Sequence, residues 1–336
     1  MIKNTISNEK NNKKLDIVGQ ILIVAATLLW GTSFIILKNT LDDLPVTFVL
    51  GVRFMLSALV LLAVRFKKIF KMSKRALKTG LIAGVILTSA YLLQTYGLKG
   101  VSAGENAFLT STYTVMVPFL CWIFFKKKPD VYSISAAVLC VVGTGFVALF
   151  GSGSLSFGAG QILTLACAVF YALQIIVLAS VSKEDDPLSI LFIELLVVGV
   201  VCFLGFISFE TGSFRPSAIT GTVVLKLLYL SIFCTLGAQG LQLIGQRFVN
   251  PSQASLLLSL ESVFGLLFSA ILGGENLTVY SVIGFALIFV SVVVSETKLD
   301  FLKKKKCSTE SGDPEKEEKE ENNNGKAESS AGDKSL

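Results

Sequence analysis

The stretch VSAGENAFLTSTYTV at residues 101–115 returns, with substitutions, as VNPSQASLLLSLESV at residues 249–263. The same displacement of 148 positions aligns the longer stretch 101–149 with 249–297, including a VYS tripeptide in each. An ungapped register that covers two apolar runs and the turn between them indicates an internal duplication. The chain is therefore expected to contain two copies of one structural unit.

The composition of the chain is that of a membrane protein. Hydrophobic residues make up 52% of its 336 residues and charged residues only 16%, whereas a soluble domain is about 25% charged. Apolar runs of about 20 residues recur, each long enough to cross a hydrocarbon core of about 30 Å as a helix. The sequence predicts an all-α polytopic fold of about ten transmembrane helices, at residues 17–38, 46–66, 77–98, 102–124, 130–150, 157–179, 187–209, 222–246, 251–272 and 278–296.

The residue types present argue against several kinds of site. The chain contains no His, the commonest general acid or base and metal ligand. Its six Cys are scattered without a C-x-x-C pair, which is typical of small core residues rather than of disulfides or a zinc site. The sequence has no phosphate-binding G-x-x-x-x-G-K-[ST] loop. We expect no catalytic residues, no metal, no cofactor and no nucleic-acid partner.

Composition divides the chain into four parts. Residues 1–16 are polar and basic and lack the pattern of a secretory signal peptide, which predicts a cytoplasmic N-terminal segment. Residues 17–150 and 157–297 are the two predicted five-helix repeats. Residues 303–336 are rich in Lys, Glu, Asn, Gly and Ser and predict a disordered cytoplasmic tail.

The predicted orientation comes from Lys and Arg in the short loops. Basic clusters such as Lys126–Lys128 and Lys303–Lys306 place both termini in the cytoplasm and the helices in the plasma membrane. Five helices per repeat is an odd number, so the second copy must be inverted. Its loop Gly274–Asn276, the counterpart of Lys126–Lys128, accordingly lacks Lys and Arg. Binding of specific lipids is the alternative explanation of the basic clusters.

Three charged residues lie well away from the ends of predicted helices. Glu261, halfway along the ninth, is the most deeply placed carboxylate, and an intramembrane charge costs at least about 2.5–3.5 kcal/mol. It is interpreted as a contact for a cationic or amine-bearing substrate or as a carrier of protons; the alternative is a structural carboxylate held by hydroxyls. Arg53 and Glu194 are candidates for an intramembrane ion pair, for separate interhelical hydrogen bonds or for substrate contact.

Uncharged polar and aromatic residues recur at helical spacing inside the apolar segments. Tyr91 and Gln94 are three residues apart, as are Gln239 and Gln242, so each pair shares one helix face. Such a face contacts either a cavity or a neighbouring helix, and the set as a whole favours a central polar cavity. The predicted substrate pathway consists of Trp30, Ser33, Tyr91, Gln94, Asn106, Tyr113, Tyr171, Gln174, Gln239, Gln242 and Glu261.

Several of these residues lie in runs that resemble motifs of the drug/metabolite transporter superfamily, in its ten-helix branch of two EamA repeats. The similar runs are Trp30–Phe34, Arg53–Phe54, Gln94–Lys99, Asn106–Thr110, Leu258–Glu261 and Gly274–Glu275. Ser262 departs from the pattern, since the family usually carries Pro after the Glu. The resemblance covers residues 17–297 and implies movement of a solute, often export of amino acids or other metabolites.

The predicted function is secondary active transport of a small metabolite across the plasma membrane by alternating access. The predicted substrate is amino acid-like or another polar or amphipathic solute, and the predicted direction is export. The expected partners are a small-molecule substrate and the lipid bilayer, with a coupling proton or an exchanged solute; the oligomeric state is left open. A membrane-embedded enzyme or lipid-modifying protein is the alternative, but it needs a catalytic cluster that this His-free chain does not show. The inverted duplication argues against a receptor or scaffold.

Overall fold

The computed structural model describes residues 2–126, 128–150, 158–182, 184–274 and 278–297, and every regular element in them is helical. The predicted tail, residues 303–336, lies outside these ranges. The α-helices are α1 (Ile2–Leu41), α2 (Val46–Ile69), α3 (Lys74–Gly100), α4 (Ala103–Thr110), α5 (Tyr113–Phe125), α6 (Val131–Phe150), α7 (Ala159–Ala179), α8 (Pro187–Gly205), α9 (Gly221–Tyr229), α10 (Ala238–Gly245), α11 (Pro251–Leu258), α12 (Leu260–Gly273) and α13 (Val279–Thr297). The π-helices are Phe206–Glu210 and Leu230–Gly237, and short 3-10 helices span Thr211–Ser213 and Pro216–Ala218.

The predicted polytopic all-α fold is confirmed. Within the described residues, eight helical stretches are long and apolar enough to cross a membrane: Lys14–Leu41, Val46–Ile69, Lys74–Gly100, Ala103–Phe125, Ala159–Ala179, Pro187–Ser213, Gly221–Gly245 and Pro251–Gly273. Two shorter apolar stretches, Val131–Gly143 and Val282–Ser291, lie in α6 and α13. Helix α1 begins at Ile2, well before the predicted start at residue 17. No Pro or Gly interrupts residues 2–18, so the polar segment continues the helix.

Two of the membrane-crossing stretches, α4–α5 and α11–α12, are broken midway, at equivalent positions of the two repeats. The breaks occur at Ser111 and at Ser259, which lie 148 positions apart. Their ψ angles are −8° and −16°, well away from the regular α-helical value of about −42°. The second break forms although Ser262 replaces the usual Pro.

Helices α2 and α8 hold the same place in the two repeats and pack against each other in opposite directions. At the start of α2, the Thr47 amide donates to Glu210, which follows α8, over 2.8 Å. Near the end of α2, Arg65 forms a 2.8 Å ion pair with Asp186, the N-cap of α8. The second repeat is therefore inverted relative to the first. The two ends of the bundle are called below the Arg65 face and the Glu210 face.

The contact between α2 and α8 depends on one glycine in each helix. A Cβ added at Gly51 would lie 3.2 Å from the Phe203 Cα, and one added at Gly199 would lie 2.9 Å from the Met55 nitrogen. Gly199 and Phe203 lie 148 positions after Gly51 and Met55, so the two contacts are copies of one another. The pseudo-twofold axis that relates the repeats therefore passes between α2 and α8.

Candidate functional site

A small cavity, with about 30 Å³ open to the centre of a water molecule, lies between the two repeats. The structure brings every residue of the predicted substrate pathway to its wall, together with Arg53. The polar and aromatic lining consists of Trp30, Ser33, Arg53, Tyr91, Gln94, Asn106, Tyr113, Tyr171, Gln174, Gln239, Gln242 and Glu261. Polar and aromatic side chains thus meet at one cavity inside the bundle, and their contact with a substrate remains a prediction.

Two hydrogen bonds across the cavity join residues at equivalent positions of the repeats. Gln239 Nε2 donates to the Tyr91 hydroxyl over 3.2 Å, and the Tyr113 hydroxyl is hydrogen-bonded to the Glu261 carboxylate. Each pair is separated by 148 positions. Equivalent residues of two copies meet only near the axis that relates the copies, so the axis passes through the cavity.

The helix breaks place Tyr113 and Glu261 in the wall of the cavity. Tyr113 begins α5, and Glu261 lies in the first turn of α12. The free N–H groups and the dipole at a helix start stabilise a carboxylate there. Glu261 is only 6% exposed, so the break gives this buried carboxylate a more favourable setting than an unbroken helix would.

The Arg53 side chain is held by the π-helix Leu230–Gly237. Its Nε donates to the Thr235 hydroxyl and its Nη2 to the Cys234 carbonyl oxygen over 3.3 Å. A π-helix changes the register of backbone hydrogen bonds, and here the Cys234 carbonyl also accepts from Trp30 Nε1 over 2.9 Å. The guanidinium carbon lies 5.3 Å from the centroid of the Tyr91 ring, within the range of a cation–π interaction. The cation is thereby fixed in the wall of the cavity.

A second polar network crosses from α3 and α4 to α7. Gln94 donates from Nε2 to the Thr110 hydroxyl over 3.1 Å and accepts from the Tyr171 hydroxyl over 2.8 Å. Asn106 Nδ2 donates to the Thr164 hydroxyl over 2.8 Å. The buried Oδ1 of Asn106 has no hydrogen-bond partner among the described residues, so one acceptor of this network is unsatisfied.

Glu194 lies behind the cavity wall. Gln242 Nε2 donates to Gln174 Oε1 over 3.4 Å, and Gln174 Nε2 donates to Glu194 Oε1 over 3.3 Å. Glu194 is 1% exposed, and its Oε2 has no hydrogen-bond partner in the described part of the chain. Since the carboxylate accepts from the Gln174 amide, it fixes which end of that amide points toward Gln242.

Arg53 and Glu194 do not form the ion pair that was one of the readings of the sequence. Arg53 bonds the π-helix and faces Tyr91, whereas Glu194 bonds Gln174 on α7. The structure therefore shows separate interhelical hydrogen bonds instead of an ion pair, because the π-helix binds the Arg53 side chain.

The cavity contains one buried cation and one buried carboxylate, each without an oppositely charged partner among the described residues. Arg53 is 1% exposed and Glu261 is 6% exposed, and neither belongs to an ion pair. Buried charges are costly unless they are compensated. A solute that carries both signs of charge would compensate both residues.

The apolar part of the cavity wall was missed by the sequence analysis. It consists of Phe34, Leu37, Leu98, Ile175 and Leu258. Each lies three or four residues from a polar or aromatic lining residue in the same membrane-crossing stretch, so helical spacing was the signal that could have found it. Apolar residues are equally common on lipid-facing surfaces, and this signal is therefore weak.

Comparisons with known proteins match both halves of the chain. A model described as the EamA-like transporter family matches residues 17–149 and again residues 158–297. An uncharacterized transporter of Archaeoglobus fulgidus is 32% identical over 272 residues, covering 81% of this chain and 83% of its own length. The uncharacterized transporter YetK of Bacillus subtilis is 27% identical over 287 residues, covering 82% and 86%.

A solved crystal structure has the same fold. It superposes with a TM-score of 0.71 and covers 84% of this chain and 98% of its own. The sequence identity is 16%, so this likeness concerns the arrangement of the helices alone.

Proposed function

The chain belongs to the EamA-like transporter family, and from this premise we propose that it is a secondary active transporter that exports a small polar metabolite through the cavity between its repeats. The observation that carries the proposal is that Arg53 and Glu261, neither of which has an ion-pair partner among the described residues, both lie in the wall of one central cavity. Substrate sites near the midplane at the interface of inverted repeats are typical of secondary transporters. The protein acts on its solute by binding and release, without a chemical step.

The charges of the cavity support a proposed substrate class. A planar guanidinium binds a carboxylate through two parallel hydrogen bonds, so Arg53 is suited to the carboxylate of a solute. Glu261 is suited to an ammonium group. An amino acid-like zwitterion would satisfy both, with its side chain against Phe34, Leu98 and the other apolar lining residues.

Alternating access requires contacts between the repeats at each face of the bundle. The contacts at the two faces must open in turn. At the Arg65 face, Arg65 pairs with Asp186 and the Ser73 hydroxyl donates to Asp185 over 2.7 Å. At the Glu210 face, the Tyr96 hydroxyl donates to Glu210 over 2.7 Å, and Thr47 donates to the other carboxylate oxygen. We assign these two sets of contacts as the gates of the pathway. They are formed by few groups near solvent, where such bonds are exchanged for water at low cost.

The membrane setting of the proposal follows the loop charges. The Arg65 face is proposed to be cytoplasmic, with both termini on that side and the helices in the plasma membrane. Residues 17–150 and 157–297 would be the two moving repeats. A coupling proton or an exchanged solute would supply the driving force.

Metabolite profiling tests the proposal. Cells with and without the chain are compared for metabolites retained and released, and the solute identified is then tested for uptake by liposomes with purified protein. We expect a zwitterionic solute to accumulate inside cells that lack the chain. A profile that is the same in both cell types would oppose the proposal.

A further inference from the structure

We propose that Gln246 lines the transport pathway between the central cavity and the Arg65 face. The solute contacts its side-chain amide when the apolar layer at that end of the bundle opens. The inference rests on the proposed transport function and extends it to one half of the route. Gln246 does not line the cavity in this structure.

The position of Gln246 continues the polar face of α10. Gln239 and Gln242 line the cavity, and Gln246 follows Gln242 by four residues, which places it on the same face about 6 Å further along the axis. The next residue, Arg247, donates to the carbonyl oxygens of Ser182 and Asp185, at the Arg65 face. Gln246 is therefore located between the cavity and the loop that closes this face.

The Gln246 side chain is buried without any polar compensation. It is 8% exposed, and neither its Nε2 nor its Oε1 has a hydrogen-bond partner among the described residues. Leaving such groups unsatisfied is destabilising, so a Leu would suit this closed conformation better. Gln242, one turn earlier, differs because its amide donates to Gln174. An amide that is unsatisfied when the pathway is closed is explained if water or solute contacts it when the pathway opens.

The apolar layer is the barrier that must open. It consists of Ile23, Ile175, Ile176, Val249 and Leu257, which belong to one buried cluster. Ile175 lines the cavity and Val249 lies two residues beyond Arg247, so the cluster extends from the cavity toward the Arg65 face. A polar solute crosses an apolar layer more easily where a side-chain amide replaces part of its hydration.

A side-chain amide occurs at this position in one repeat only. The residue 148 positions before Gln246 is Leu98, an apolar residue of the cavity wall. The carbonyl oxygen of Leu98 accepts from Lys38 Nζ over 3.5 Å. The halves of the pathway on the two sides of the cavity therefore differ in chemistry, and the amide is confined to the route toward the Arg65 face.

Thiol labelling of the full chain in membrane vesicles of both orientations tests the inference. Single Cys residues are introduced at position 246 and at three control positions, in a background whose native Cys are replaced. Lys67→Cys marks the exposed Arg65 face, Ser33→Cys reports on the cavity, and Leu243→Cys is a buried control on α10. A membrane-impermeant methanethiosulfonate reagent is the probe, and labelling in denaturant gives the total thiol of each variant.

We expect Gln246→Cys to react from the same side as Lys67→Cys and several-fold faster than Leu243→Cys. Replacing Arg247 by Gln in the same chain should increase the labelling rate at position 246, because the clamp on Ser182 and Asp185 is lost. If Ser33→Cys is labelled from that side while position 246 reacts as slowly as position 243, the inference is overturned and the proposed transport function is unaffected. Absence of labelling of Ser33→Cys from both sides would instead contradict the proposed transport function and the inference with it.

Discussion

Gln239 donates a hydrogen bond to the hydroxyl of Tyr91 over 3.2 Å, and the two residues hold the same position in the two repeats. Tyr113 and Glu261 repeat this relationship. Both pairs lie where the pseudo-twofold axis crosses the cavity. The two repeats thus contribute equivalent positions to one site, which is asymmetric in charge because the only carboxylate of its described lining, Glu261, lies in the second copy.

Replacing Gly199 by Ala should destabilise the bundle. Its new Cβ would lie 2.9 Å from the Met55 nitrogen and 3.1 Å from its Cα, and overpacking of this kind costs about 1–3 kcal/mol. Gly145→Ala is the matched control, since a Cβ there meets nothing within 4 Å; it should stabilise α6 by up to about 1 kcal/mol through helix propensity. Melting temperatures of the purified variants measure both effects, and a Gly199→Ala melting temperature at or above that of Gly145→Ala would refute the close contact.

Arg53 should contribute to transport through its charge. Thr235 should contribute only by holding the Arg53 side chain in position. Arg53→Gln is expected to abolish transport because the carboxylate of the solute loses its partner. Thr235→Val removes the acceptor of Arg53 Nε and should lower stability by about 1–3 kcal/mol, with transport reduced but measurable. Transport assays in liposomes and melting temperatures separate the two; equal transport by Arg53→Gln and the parent would exclude Arg53 from the site.

Glu210→Gln should weaken the gate at the Glu210 face. The neutral amide replaces a carboxylate that accepts from Thr47 and Tyr96, and bonds to a charged acceptor are stronger by about 1 kcal/mol. We expect faster thiol labelling of Ser33→Cys from the Glu210 side. Tyr96→Phe, which removes one of the bonds, should give a smaller increase. Faster labelling from the Arg65 side in either variant would show that Glu210 does not control this gate.

The inverted register predicts that two equivalent loops lie on opposite sides of the membrane. Lys127 and Glu275 lie outside the described residues, and they are 148 positions apart. In intact cells an impermeant thiol reagent should label Glu275→Cys and leave Lys127→Cys unlabelled. Labelling at position 127 with protection at position 275 is the result that this topology forbids.

The fold was predictable from the sequence because a bilayer imposes the length of each apolar run. The helix predicted at residues 187–209 begins at Pro187 in the structure, and the one predicted at 251–272 is α11–α12, from Pro251 to Gly273. The inversion followed from the odd number of helices. The extension of α1 back to Ile2 was missed, because a polar segment carries no hydrophobic signal for helix.

The cavity was predictable to the extent that polar side chains avoid lipid. Tyr171 and Gln174 share a face for this reason, and both line the cavity. The partners of Arg53 were not predictable, because no residue pattern marks the π-helix that presents Thr235 and the Cys234 carbonyl. For the same reason the sequence could not decide between an Arg53–Glu194 ion pair and separate hydrogen bonds.

The most direct test of the central claim is transport by Glu261→Gln in liposomes, measured with the solute that metabolite profiling identifies and beside the melting temperature. The Gln keeps the size of the side chain and its bond to Tyr113 but removes the charge. The account predicts that transport falls steeply while the melting temperature stays close to that of the parent. Glu261→Ala, as the control, should also lower stability by about 1–3 kcal/mol because Tyr113 loses its partner. Full transport by the Gln variant would contradict the account.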